Sequence, residues 1–358
     1  MNDEIPLYIH VPFCESKCHY CSFYSVIFNE EKEKIWLNDI EQKAKFFNNL
    51  LGRKKLKTLY IGGGTPSILK IHTFEKLFEI INANFDTSNI IEATLEANPN
   101  SLTEKLLSYL KSKCITRISL GVQSLHDNEL KILGRLHDSK CAVKAMETVK
   151  NYDYDLNADL IFSIPDSNLR KFNESLNIVM NYADHISAYQ LTLEPGTKLY
   201  NKYSNKDFNK DGYKYYRYIQ YKLPKKGYTQ YEISNFAKSG KECIHNLCYW
   251  NNDDFLALGF GASGCINRAR YKILTNGRLD IERLSENDIP KESAILLLRT
   301  SKGINKNTFI KSYGEKAFSY IESRLSNIPD ELIIRNTENI SLTAKGMRVG
   351  NAIWLEIM

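Results

Sequence analysis

The sequence predicts an α/β protein: an open partial barrel of six strand–helix units, followed by a smaller, mostly helical C-terminal unit. Two observations predict it. Short β-branched runs alternate with amphipathic stretches from Pro6 to Glu194, and alternation of that kind makes a parallel sheet with helices packed outside it. After Thr197 the texture changes, and a separate small unit begins near Ser285.

The elements follow in order. Strands are expected at Pro6–Phe13, Thr58–Gly64, Ile90–Asn98, Ile115–Gln123, Leu156–Pro165 and His185–Glu194. Between them lie helices at Glu31–Leu51, Ile71–Ala83, Thr103–Lys111, Lys140–Lys150 and Arg170–Tyr182. Phe74, Leu77, Phe78 and Ile81 recur at helical spacing in the second of these. Right-handed crossovers curl such a sheet one way, and six units fall short of the eight that close a barrel. Residues 200–231 read as one Tyr- and Lys-rich helix with a turn at Pro224–Gly227. Tyr231–Gly264 is polar and glycine-bearing, and Gly259–Gly264 reads as a close-packed turn. The last unit holds helices at Lys291–Thr300 and Asn307–Tyr313, a hairpin over Leu332–Leu342, and a final helix at Thr343–Ala352. The domains expected are 1–230, 231–284 and 285–358.

The 358 residues are 43% hydrophobic and 25% charged, as in an ordinary soluble globular protein. The longest aliphatic stretch, Ala294–Leu298, is too short to cross a bilayer. The acidic start Met1-Asn2-Asp3-Glu4 is unlike a signal peptide, so a cytoplasmic location is expected. The net charge of +6 reads as a lysine-rich solvated surface. No compact basic-aromatic motif points to nucleic acid. Contact with an anionic membrane surface stays open.

Of eight cysteines, three crowd together as Cys14-Glu-Ser-Lys-Cys18-His-Tyr-Cys21. Clustering in a cytoplasmic chain suggests a metal site. Spacings of three and two residues let one loop wrap three corners of an iron–sulfur cubane, leaving one iron open for chemistry. Zinc is the alternative, with His10 and His19 as candidates for the missing ligands.

The chemistry-bearing residues fall at strand ends, where parallel α/β sheets bind ligands. Gly62-Gly63-Gly64-Thr65-Pro66 ends the second strand, and its glycines permit close backbone approach to a polar ligand. Glu96 ends the third strand, Gln123 the fourth, and Asp159 lies in the fifth.

Tyr8-Ile-His-Val-Pro-Phe-Cys14 and the triad after it resemble the opening of the radical S-adenosylmethionine (SAM) superfamily. Within it they resemble the branch holding the heme chaperone HemW and oxygen-independent coproporphyrinogen III dehydrogenase, from Tyr8 to the C-terminus. The resemblance implies a partial TIM barrel as radical SAM core and a small C-terminal winged-helix-like domain. It implies a [4Fe–4S] cluster on Cys14, Cys18 and Cys21, whose open iron binds the amino and carboxylate groups of SAM. One-electron cleavage of the sulfonium then gives a 5′-deoxyadenosyl radical. Gly63, Gly64, Thr65, Glu96, Gln123, Arg135 and Asp159 match SAM-contacting positions, with Tyr8 and Tyr20 flanking the cluster. Precedent in the branch leaves one or two SAM molecules open. No residue is singled out as catalytic.

Two departures separate the members of the branch. Phe23 stands where the dehydrogenase has a fourth Cys, and Tyr8 lies almost at the start, without that enzyme's N-terminal extension. The run Cys243-Ile-His245-Asn246-Leu-Cys248-Tyr249-Trp250 resembles the His-Asn-x-x-Tyr-Trp motif tied to heme binding. Imidazole is a usual heme ligand. A structural cluster, with His245 bonded to backbone and Trp250 in a core, is the other reading of the same residues. The expectation is a heme chaperone binding a cluster, SAM and heme and delivering heme to respiratory membrane proteins. A homodimer and a peripheral contact at the inner membrane face remain open. The rival is an enzyme, the oxidative decarboxylase of coproporphyrinogen III.

Overall fold

The computed structural model describes residues 3–206 and 212–358. It divides into two compact units, and neither is contiguous in sequence. The first is Met1–Gly212 with Asp254–Ile281; the second is Tyr213–Asp253 with Glu282–Met358. The stretch expected as one extension, 231–284, is therefore shared between them.

The first unit contains strands β1 (Glu4–Val11), β2 (Lys55–Gly63), β3 (Glu92–Ala97), β4 (Arg117–Gln123), β5 (Asp155–Phe162), β6 (His185–Gln190) and β7 (Leu256–Leu258). They pair in parallel in the order β7-β1-β2-β3-β4-β5-β6. Among the described residues no hydrogen bonds close the sheet into a barrel. Strands covered on both faces read as near-continuous apolar runs, and β1 buries Leu7, Ile9 and Val11 completely. The strand ends expected from sequence hold to within a few residues. β6 stops at Gln190, short of Glu194.

The helices are α1 (Glu30–Leu51), α2 (Ile71–Asn84), α3 (Glu104–Lys111), α4 (Asp127–Leu133), α5 (Ser139–Asn151) and α6 (Leu169–Val179). Each start has a local cause where a cap is present. The Asn29 side chain accepts from the amides of Glu31 and Lys32, Thr103 from Leu106, Asp138 from Cys141 and Asn168 from Lys171. Such caps contribute about 1 kcal/mol each. α1 buries Trp36, Ile40, Ala44 and Phe47, one helical stripe, and ends at Gly52 with φ 76°. α4 is an addition to the expected elements. It lasts seven residues and ends at Gly134, φ 72°, too short for periodicity to reveal.

β7 is likewise unexpected, because Leu256-Ala257-Leu258 sits inside a polar stretch. It pairs with β1 at Leu7↔Leu256. The turn that follows is close-packed: a Cβ on Gly259 would stand 2.4 Å from the His10 carbonyl oxygen. Trp36 Nε1 donates to that same oxygen at 2.9 Å.

The helix expected over 200–231 is broken. α7 (Lys198–Tyr203) and α8 (Gly212–Lys222) are separate, and 207–211 lie outside the described residues. Pro224–Lys226 forms a single 3-10 turn closed by Gly227, φ 83°.

In the second unit, α9 (Ile244–Trp250) precedes a small C-terminal group. That group runs α10 (Asp288–Leu298), β8 (Ile304–Asn305), α11 (Lys306–Tyr313), α12 (Glu315–Leu325), β9 (Ile333–Arg335), β10 (Asn339–Leu342), α13 (Ala344–Arg348) and α14 (Gly350–Ile357). The strands form an antiparallel sheet in the order β8-β10-β9. Helix, strand, two helices and a two-stranded wing is the winged-helix-like order expected. The final helix breaks in two at Val349, with φ −119° and ψ 21°.

Candidate functional site

The three cysteines occupy a loop held at both ends. Phe13–Cys14 pairs in parallel with Val26–Ile27. In its middle the His19 amide donates to the Leu133 carbonyl at 2.9 Å, and the His19 carbonyl accepts from Leu199 at 2.9 Å. Cys14, Cys18 and Cys21 all line one cavity of about 430 Å³ at the carboxyl ends of the strands. Thr65 Oγ1 stands 3.7 Å from Cys14 Sγ, and Arg135 Nη1 donates to Cys18 Sγ at 3.4 Å. Donors aimed at sulfur suit thiolates, the form that ligates metal. Burial pushes the Cys14 and Cys21 thiols up, so a bound cation would be needed to keep them ionised.

Arg135 ties the cysteine loop to the strand ends. Its Nη2 donates to Asn98 Oδ1 at 2.5 Å and to the Gly121 carbonyl at 2.9 Å. Asn98 Nδ2 donates in turn to Thr65 Oγ1 at 3.1 Å. Arg135 Nε is buried without a hydrogen-bond partner. A buried unpaired donor is costly and marks a place for an acceptor such as a ligand carboxylate.

Glu96 sits against the glycine turn. Its Oε2 accepts from the Gly63 amide at 2.9 Å and its Oε1 from the Tyr60 hydroxyl at 2.8 Å. Burial pushes its carboxyl up to about 7, against those two donors. The glycines are required sterically. Gly63 has φ 110°, and a Cβ there would stand 2.5 Å from the His10 ring. A Cβ on Gly64 would stand 2.5 Å from the Phe13 carbonyl oxygen.

Gln123 has φ 66°, an uncommon conformation for a residue with a side chain. Between Leu120 and Gln123 the β4–β5 register slips. Irregularities of this type re-aim side chains beside functional sites. Gln123 lines the cavity, as do Gly63, Gly64, Thr65, Glu96 and Asp159. Tyr20 also lines it, and burial pushes its hydroxyl up. Tyr8 is not on the cavity wall; its hydroxyl meets His10 Nδ1 at 2.9 Å. Asn98, Tyr60, Ser119 and Gly121 belong to the site or its support and were not singled out in the sequence. Asn98 is the most legible of them, two residues after Glu96.

These residues fit the group they are expected to hold. Three thiols from one loop share a cavity with the carboxylates of Glu96, Asp159 and Glu194, an arginine with a free donor, and a glycine turn. A single ion fits less well. Among the described residues no three His, Cys, Asp or Glu side chains stand close enough to share one. His10, proposed as a zinc ligand, has both ring nitrogens engaged, with Tyr8 OH and the Tyr24 carbonyl.

The other predicted residues lie in the second unit. His245 is completely buried, and its Nε2 meets Tyr249 OH at 2.6 Å with the two rings edge to face. Burial pushes the imidazole down to about 3. Cys243 and Cys248 are buried and Asn246 is half-buried. Trp250 lies on the Arg299 guanidinium at 4.3 Å, and Trp354 lies on it at 4.9 Å. In this conformation the motif is a packed cluster, and His245 offers no ring atom to a ligand.

The radical SAM superfamily model matches residues 8–179. The heme chaperone HemW of Bacillus subtilis (strain 168) is 32% identical over 97% of this chain and 97% of its own length. The chain belongs to the HemW family. HemW of Buchnera aphidicola subsp. Schizaphis graminum is 37% identical over 75% of this chain and 72% of its own. The solved structure of coproporphyrinogen III oxidase (HemN) from Escherichia coli matches with a TM-score of 0.83, covering 99% of this chain and 91% of that one at 19% identity. That likeness establishes a shared fold. Membership in the radical SAM superfamily implies a [4Fe–4S] cluster and SAM, and the cavity residues are of the kinds those groups require.

Proposed function

We propose that this protein is a heme chaperone. It carries a [4Fe–4S] cluster on Cys14, Cys18 and Cys21 and binds SAM in the same cavity. It takes up heme and passes it to respiratory proteins at the membrane face. The observation that carries this reading is the likeness to a HemW heme chaperone along 97% of both chains. Phe23 supports it: this residue lines the cavity, is 68% exposed, and supplies no fourth thiol beside the triad.

The cavity's own residues divide the work of holding SAM. Arg135, with its unpartnered Nε, suits the carboxylate, and Glu96 and Asp159 suit the cationic and hydroxyl parts. The cluster, when bound, supplies one-electron reduction of the sulfonium. Among the described residues no helix is long and apolar enough to cross a membrane. Ligation of heme by His245 requires that α9 move, because the ring is fully covered.

Anaerobic titration of heme into the reconstituted protein tests this. Saturable stoichiometric binding, with SAM and coproporphyrinogen III yielding no decarboxylated product by mass, is expected. Absence of heme binding together with protoporphyrinogen formation would establish the decarboxylase instead. Repeating the titration with His245→Ala and Tyr249→Phe locates the ligand. The tyrosine variant frees His245 Nε2 while keeping the ring, so it is expected to bind heme at least as well as wild type.

A further inference from the structure

The interior of a parallel β/α barrel is ordinarily filled by layers dominated by branched aliphatic side chains. Here the inner face of three adjacent strands is polar instead. β4 contributes Arg117 and Ser119, β5 contributes Asn157 and Asp159, and β6 contributes His185 and Ser187. Residues two apart on a strand share a face, and the registers Ser119↔Asn157, Asn157↔His185 and Asp159↔Ser187 set them side by side. Ser119 and Asp159 reach the cavity wall, while Asn157, His185 and Ser187 lie behind it, all buried.

We infer that Asn157 and His185 form a buried positioning relay for Asp159, fixing where its carboxylate points and donating a hydrogen bond that favours its ionised form toward SAM. This rests on the reading of Asp159 as a SAM-contacting residue. The geometry is saturated around Asn157. Its Nδ2 donates to Asp159 Oδ1 at 2.9 Å and to Ser119 Oγ at 2.7 Å. Its Oδ1 meets His185 Nδ1 at 2.6 Å, and Ser187 Oγ stands 3.2 Å from it, its single proton shared between this oxygen and Asp159. An amide oxygen only accepts, so His185 must carry its proton on Nδ1. An ionised carboxylate only accepts as well, so the amide must turn its NH2 toward Asp159. Amide orientation, ring tautomer and carboxylate charge are therefore one linked arrangement, as in the outer shells that orient metal-binding groups.

The surrounding groups act in both directions: burial and the neighbouring Glu96 carboxyl disfavour charge on Asp159, while Arg135 and the hydrogen bonds favour it. Asp159 faces Glu96 on β3, Tyr20 in the cysteine loop and Arg135 after β4. Burial pushes its carboxyl up, opposed by the hydrogen bonds from Ser187 and Asn157. At the far end, burial and then the Arg117 cation push His185 well below the usual histidine range. The ring thus stays neutral, with one proton to give. Arg117 is itself paired with Glu92 at 3.3 Å.

The test uses full-length, cluster-loaded protein and measures SAM affinity by anaerobic equilibrium dialysis across pH 6–9. Asn157→Leu removes the donor to the ionised form. It is expected to keep its iron, to bind SAM at least tenfold more weakly near pH 6.5, and to recover toward wild type near pH 9. A loss of the same factor at every pH would mean a merely structural role and would overturn the relay. His185→Gln keeps a donor for Asn157 and should stay within about threefold of wild type, whereas His185→Leu should behave as Asn157→Leu. Equal behaviour of the two histidine variants also overturns it. Nitrogen-15 NMR of the histidine rings reads the relay without SAM. The Nδ1–H tautomer is expected at His185, and the Nε2–H tautomer would sink it. Asp159→Asn separates the premises: unchanged SAM affinity there overturns the assignment of Asp159 itself, whatever the tautomer.

Discussion

Arg135 donates to Cys18 Sγ at 3.4 Å while the same guanidinium holds Asn98 Oδ1 at 2.5 Å. One side chain therefore spans from a cluster-loop sulfur to the end of β3, and its Nε is left over for a ligand. Arg135→Gln should keep four irons but lose at least tenfold in SAM affinity, since charge-assisted bonds contribute about 1.5–3 kcal/mol. Arg135→Lys should recover only part, because a lysine lacks the planar fork. Wild-type affinity in the glutamine variant would remove Arg135 from the SAM site.

Cys18→Ala tests the cluster directly. Three thiolates leave one open iron, and two cannot hold the cubane in the same way. The variant reconstituted under anaerobic conditions should lose the broad iron–sulfur absorption. Retention of four irons per chain would refute the ligand assignment.

Glu96 should make SAM binding pH-dependent. Burial pushes its carboxyl up to about 7, and a cationic ligand favours the ionised form. Below about 7 each unit of acidification should weaken SAM binding by up to tenfold. Above about 7 this contribution levels off. Glu96→Gln should flatten the curve. The sign for stability is the opposite. The buried carboxyl holds its proton more tightly than an unfolded one, so the native state without SAM loses stability as pH rises from about 4.5 to 7. Urea titrations at pH 5 and pH 8, wild type against Glu96→Gln, measure this.

Gly63→Ala is expected to destabilise by about 1–3 kcal/mol, from its positive φ and the His10 ring that a Cβ would strike. Because the same turn offers its amide to Glu96, SAM affinity should fall with it. An alanine variant as stable as wild type would show that the turn can relax.

Much of this cavity could be read in the sequence. A strand followed by a cysteine triad, a strand ending in glycines, and strands ending at Glu96 and Gln123 are local patterns. Parallel α/β architecture carries such ends to one rim without further information. What escaped notice depends on distant partners. Asn98 gains its role from Arg135 and Thr65, each more than thirty residues away in the chain. His10 looked like a possible ligand until its two nitrogens met Tyr8 and Tyr24. β7 is three residues long, and only pairing with β1 makes it a strand. The His245–Trp250 run allowed both a ligand surface and a packed cluster; in this conformation His245 is buried and Trp250 lies on Arg299. Burial of that kind is a tertiary outcome, invisible to spacing.

The pairing of β7 with β1 has a consequence during synthesis. Leu7 leaves the ribosome about 250 residues ahead of its partner Leu256. Until then the outer edge of the first strand stands open, a row of unsatisfied amides and carbonyls beside a fully apolar core. Domains begin to fold as they emerge, so the nascent barrel must wait with that edge available to other chains. Mutations that weaken β7 should therefore surface first as aggregation during synthesis.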